Sequence, residues 1–124
     1  MPPRVAVFCT PEPGHFQLLR PVIEGLTQRG VETYVYTDSE YGECVRQAGA
    51  VFEDLFSRYP LALADSTSIP IPCRYVTYAA HYALDVAGDV MRFQPSLIIC
   101  ETFSVIGRVV AGLLDIPWVN VSPG

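Results

Sequence analysis

Apolar positions along the chain form short solid runs, separated by stretches where they recur every three or four residues. Val5-Ala6-Val7-Phe8-Cys9 is apolar throughout and ends at the breaker-rich Pro11-Glu12-Pro13-Gly14, the pattern of a central strand covered on both faces. After His15, the residues Phe16, Leu19, Val22, Ile23 and Leu26 keep helical spacing while Gln17, Arg20, Glu24 and Gln28 fall on the opposite face. The spacing predicts a helix closed by Gly30. Pro21 is unwelcome in a helix interior, so the regular turns are expected either to begin near Arg20 or to hold the proline in the first turn.

Val31, Thr33, Val35 and Thr37 give a second, β-branched strand. Asp38 or Ser39 can cap a helix whose inner face is Tyr41, Cys44, Val45 and Ala48 and which ends at Gly49. Ala50 to Leu55 reads as a third strand, and Phe56 to Pro72 as a long turn-rich loop. Tyr78, Ala79, Tyr82, Val86 and Val90 mark the longest helix, over Tyr75 to Phe93, stopped by Pro95. Leu97-Ile98-Ile99-Cys100 is a fourth strand that runs into Glu101-Thr102 and a helix with Val105, Val109, Leu113 and Leu114 on its predicted inner side. Ile116 to Val121 begins a fifth strand.

Strands alternating with helices imply right-handed crossovers and a parallel sheet with helices on both faces. The expected strand order is 3-2-1-4-5, the half-sheet of a Rossmann-like, doubly wound α/β fold, with strands one and four side by side at the switch point where ligands bind. His15 follows the first strand and Glu101 the fourth. A histidine and a carboxylate far apart in sequence are thereby predicted to meet across that crevice.

Composition narrows the partners. The chain has 124 residues, 50% hydrophobic and 17% charged, which suits one domain with a real core. The formal net charge is −5 and the arginines are scattered, so no basic face is offered to nucleic acid. All basic side chains are arginine, which excludes Schiff-base chemistry and a P-loop lysine. Cys9, Cys44, Cys73 and Cys100 lack the close pairing of a zinc site, so no metal is expected; reduced thiols in a cytoplasmic protein are the plain reading. Cys9 and Cys100 end adjacent strands and are expected to pack together as small apolar groups. No signal peptide or membrane-spanning stretch is visible.

The chemistry centres on His15 and Glu101. A neutral imidazole whose Nδ1–H is held by a carboxylate is a general base, and the acid stabilises the imidazolium formed when Nε2 takes a hydroxyl proton. Against this stand plainer roles, a chain-turning histidine and a helix-capping acid. Gly14 permits close approach of the backbone to a ligand, although the loop lacks the glycine pattern of a dinucleotide site. His81, in mid-helix, is expected to be structural. Tyr75, Tyr78 and Tyr82 form a stripe that is either helix core or an acceptor-contacting face.

Pro13-Gly14-His15 followed by Pro21, Gly25-Leu26, Arg29-Gly30-Val31-Glu32 and Tyr36-Thr37 resembles the opening of the two-domain GT-B natural-product glycosyltransferases. Gly42-Glu43, Ala48-Gly49-Ala50, Leu97-Ile98-Ile99-Cys100-Glu101-Thr102 and Asp115-Ile116-Pro117 continue the match over nearly the whole chain. The resemblance implies that His15 deprotonates an acceptor hydroxyl, which attacks the anomeric carbon of a nucleotide sugar, such as a UDP-sugar, with inversion. Glu101 stands where the family carries a supporting aspartate. It further implies that residues 1–124 are the N-terminal, acceptor-binding domain or part of it, without the C-terminal domain that binds the donor. On that reading the chain alone is inactive, needs no cofactor beyond the co-substrate, and exposes an apolar edge that favours self-association. Two alternatives remain: a non-catalytic subunit completed by a partner chain, and a flavodoxin-like nucleotide-binding module.

Overall fold

Apolar runs and amphipathic stretches assemble into one five-stranded parallel sheet flanked by helices. The computed structural model describes residues 2–61 and 70–122. The elements in chain order are β1 (Arg4–Phe8), α1 (His15–Gln28), β2 (Glu32–Thr37), α2 (Gly42–Gln47), β3 (Val51–Asp54), α3 (Leu55–Arg58), α4 (Ile71–Met91), β4 (Leu97–Glu101), α5 (Val105–Leu114) and β5 (Trp118–Val121). A single 3₁₀ turn, Ser39–Tyr41, precedes α2, and the Asp38 carboxylate caps it by accepting from the Glu40 N–H. The strand order is β3-β2-β1-β4-β5 with every pair parallel, as the alternation of elements predicts.

Because successive strand residues point to opposite faces, β1 feeds two cores. Ala6 and Phe8 join Tyr36, Ile98 and Cys100 under α4 and α5. Val5, Val7 and Cys9 join Val35 and Ile99 under Phe16, Leu19 and Ile23 of α1 and Val45 of α2. Cys9 and Cys100 are therefore buried on opposite faces of the sheet, contrary to the expectation that they pack together. The register explains it: Phe8 pairs with Cys100, so Cys9 lies one residue out of phase.

Three further expectations need correcting. Pro21 lies inside α1, which begins at His15. The helix tolerates it because Gln17, whose carbonyl loses its N–H partner, and Pro21 itself both lie on the exposed side. Leu55–Arg58 forms a helical turn where the end of the third strand and the start of the loop were expected, held by the Asp54 carboxylate accepting from the Ser57 N–H, and α4 starts at Ile71 rather than Tyr75. Of the expected loop, residues 62–69 lie outside the described residues. Finally, α5 buries Ile106, Gly107, Val110 and Ala111, and turns Val109 and Leu113 outward. This helix is apolar almost all round, so periodicity alone does not choose its face. The space at Gly107 does: a Cβ there would come within 3.0 Å of Cys100 Cβ and 3.2 Å of Phe8 Cβ, so a larger residue would have to push strand side chains aside for the helix to lie this close to the sheet.

Candidate active site

The carboxyl ends of β1 and β4 lie side by side, and the loops leaving them bring the site together. β1 leads through Thr10 and the Pro11–Gly14 loop into α1. Gly14 caps this helix with a φ of 84°, a left-handed conformation that suits glycine, and its carbonyl accepts from the Leu18 N–H. No atom lies within 4 Å of where a Cβ on Gly14 would stand, so the backbone here faces open space. His15 is the first residue of α1, and Glu101 the last of β4.

The two side chains meet, with His15 Nδ1 2.6 Å from Glu101 Oε2. The Glu101 side chain is fully buried, while the His15 ring keeps 13% of its surface exposed. A buried carboxylate is costly unless its lone pairs are taken, and here four further donors take them. Oε1 accepts from the Thr10 N–H at 2.9 Å, the Thr10 hydroxyl at 2.8 Å and the Ser104 hydroxyl at 2.7 Å. Oε2 also accepts from the Phe103 N–H at 2.8 Å. Burial by itself raises the Glu101 pKa, but the Ser104 hydroxyl, the Thr10 and Phe103 N–H groups and His15 together outweigh it and hold the carboxyl below its ordinary value. The group is thus ionised near neutrality. An ionised carboxylate only accepts, so Nδ1 carries a proton, and in the uncharged form of the ring the lone pair is on Nε2. Among the described residues, nothing hydrogen-bonds to Nε2.

An aromatic wall stands beside the dyad. The Phe103 ring packs on His15 with centroids 4.8 Å apart, and Tyr75 lies 6.1 Å beyond it, nearly parallel. Tyr75 is buried and donates its hydroxyl to Glu12 Oε1 at 2.9 Å, which ties the start of α4 to the β1–α1 loop. Burial first, then the bond to Glu12 and its charge, push the Tyr75 phenol up, so it stays a donor. Tyr78 donates to the Tyr59 carbonyl and belongs to the core, while Tyr82 is partly buried against it. His81 lies on the exposed side of α4, edge-on to Tyr82 and apart from the dyad. Burial, then the Glu101 charge, push the Cys9 thiol far up, and its Sγ donates to the Thr10 carbonyl, leaving it an inert apolar group. Among the described residues, no three His, Cys, Asp or Glu side chains gather to hold a metal. Nor is any described helix long and apolar enough to cross a membrane.

Sequence reasoning missed Thr10, Glu12, Phe103 and Ser104. The one available signal was the Glu101-Thr102-Phe103-Ser104 run: a carboxylate at the end of a central strand demands donors if it is buried, and a serine three residues on can supply one.

No protein-family model and no curated protein matches the chain in sequence. Solved structures do match in fold. The glycotransferase of kitacinnamycin superposes with a TM-score of 0.81 at 22% identity, over 98% of this chain and 30% of its own. SsfS6, a glycosyltransferase from Streptomyces sp. SF2575 also solved with thymidine diphosphate, gives 0.77 at 24% identity over 97% of this chain and 39% of its own. The calicheamicin glycosyltransferase CalG4 gives 0.78 at 21% identity over all of this chain and 31% of its own. The chain therefore has the fold of one part of these glycosyltransferases, and spans 30–39% of their length.

Proposed function

We propose that this chain is the acceptor-side part of an inverting glycosyltransferase, which moves a sugar from a nucleotide sugar to a hydroxyl of an apolar small molecule. The observation that supports it most is the His15–Glu101 pair, 2.6 Å apart at the β1–β4 switch point of a fold shared with glycosyltransferases. His15 Nε2 takes the acceptor's hydroxyl proton while that oxygen bonds to the anomeric carbon. The bond from that carbon to the nucleoside diphosphate breaks on the opposite face, and the diphosphate departs with the electron pair. Glu101 holds the Nδ1 proton throughout and balances the imidazolium. Phe103, beside the ring, and Gly14, with open space before it, offer an apolar wall and an uncrowded backbone to the acceptor.

Donor phosphates and sugar are assigned to the portion of the parent polypeptide beyond this chain, so the chain by itself is expected to be inactive: the anomeric carbon has nothing to orient it. The test is transfer by the parent polypeptide, with a panel of nucleotide sugars and hydroxylated aromatic acceptors, followed by the anomeric configuration of the product. Inversion is expected. Retention, or turnover by the isolated chain, overturns the reading.

A further inference from the structure

We infer that the Ser104 hydroxyl, together with that of Thr10, positions Glu101 and sets how strongly it holds the proton of His15. Both residues are buried, and both act on the carboxylate oxygen that His15 does not touch. A carboxylate offers about four lone-pair sites, yet five donors converge here, three of them on Oε1. Donors on Oε1 draw charge away from Oε2 and place positive hydrogen ends near the ring, so they temper the pull on His15 Nδ1–H. They also pin the carboxylate's rotation, so that Oε2 stays in line with the ring.

The local structure is built to that end. Ser104 occupies the N-cap position of α5, where a serine ordinarily accepts from a backbone N–H of the helix. Here its side chain makes no such bond and is turned to Glu101 instead. Its backbone is fixed separately, because its N–H donates to the Glu101 carbonyl and its own carbonyl accepts from the Gly107 N–H. The helix forgoes a cap and the carboxylate gains a donor. Hydroxyls that merely filled the lone pairs of a buried charge would satisfy the same geometry, so the distinction lies in whether His15 responds.

The inference rests on the proposed function for its catalytic meaning, but its test does not. The His15 ring nitrogens are followed by NMR against pH in the ¹⁵N-labelled chain, for the native sequence, Ser104→Ala, Thr10→Val and Ser104→Thr. Removal of either hydroxyl is expected to raise the midpoint of the His15 titration by roughly half a unit to one unit, because the freed charge favours the imidazolium. Ser104→Thr, which keeps the hydroxyl, should return it to the native value. An unchanged or lowered midpoint in folded Ser104→Ala overturns the inference. If that variant does not fold, Thr10→Val, which keeps the shape and the backbone donor, is judged by the same criterion; if neither folds, the hydroxyls are structural and the inference falls. Should the midpoint move while the parent polypeptide transfers no sugar, the glycosyltransferase reading fails and the positioning role stands.

Discussion

The centre of the sheet and its β5 edge are treated very differently. Between β1 and β4, a buried carboxylate meets every requirement of its burial from residues within this chain, with donors from both strand ends and from the start of α5. At β5 the opposite holds. Trp118 on one face and Val119 on the other are 46% and 48% exposed, and Val109 and Leu113 of α5 stand open nearby. The other edge, β3, carries Glu53 and Asp54 at its end, and Glu53 pairs with Arg58. Parallel sheets are normally covered on both faces, and charge is a common guard on edges. The dyad is thus self-contained, whereas β5 leaves large apolar side chains uncovered.

If the centre is complete, its chemistry should depend on few groups. In the parent polypeptide, His15→Ala should lower turnover of hydroxyl acceptors by roughly 10²–10⁴-fold, the scale of a lost general base. Affinity for the nucleotide should hardly change. Kinetics that showed an equal loss of donor binding would make His15 a structural residue.

Glu101→Gln breaks the centre in a second way. The substitution keeps the shape of the side chain and removes its charge, which by itself would cost little stability. The five-donor environment reverses that expectation, since an amide must turn its NH₂ toward a cluster of donors and leave at least one unpaired. The expected cost is about 3 kcal/mol in denaturant unfolding of this chain, together with loss of transfer in the parent. A native-like midpoint would mean that the socket relaxes freely.

Acid should act through the same group. The Glu101 carboxyl is held below its unfolded value, which is about 4.3, so its contribution is complete above that pH and is lost as pH falls through the lower, folded value. Native stability should fall more steeply below about pH 4.3 than that of Glu101→Gln, whose curve lacks this component. Unfolding midpoints of both proteins between neutral and acid pH make the comparison; parallel curves would remove Glu101 from the account.

Much of this was legible in the sequence. Solid apolar runs such as Val5–Cys9 and Leu97–Cys100 pointed to central strands, and the strand order expected of a doubly wound sheet then put His15 and Glu101 side by side. What escaped were quantities that periodicity does not encode. Helix α5 is apolar on two sides, and the choice fell to the space Gly107 leaves over Phe8 and Cys100. The separation of Cys9 from Cys100 turned on a one-residue register, and Pro21 was placed by which side of α1 meets water. Thr10 and Ser104 stayed hidden because hydroxyls carry no pattern until the charge they serve has a position.

The smallest effect on folding, and the one that tests the edge, is expected from Val119→Lys. Val119 is exposed on a strand that, among the described residues, has a neighbour on only one side, β4, so a lysine there removes little buried surface. Its effect on stability should stay within about 0.5 kcal/mol. Self-association is a different matter, because an edge strand offers its outward N–H and C=O groups to a second copy, here beside the exposed Trp118 and Val119. Lysines on two such edges would repel each other and would lose hydration on pairing. Sedimentation at rising concentration should therefore show the native chain associating and Val119→Lys remaining monomeric, with equal unfolding midpoints and an unaltered His15 ring signal. A native chain that stays monomeric at high concentration would show that the β5 edge is adequately guarded as it stands, and the contrast with the centre of the sheet would lose its meaning.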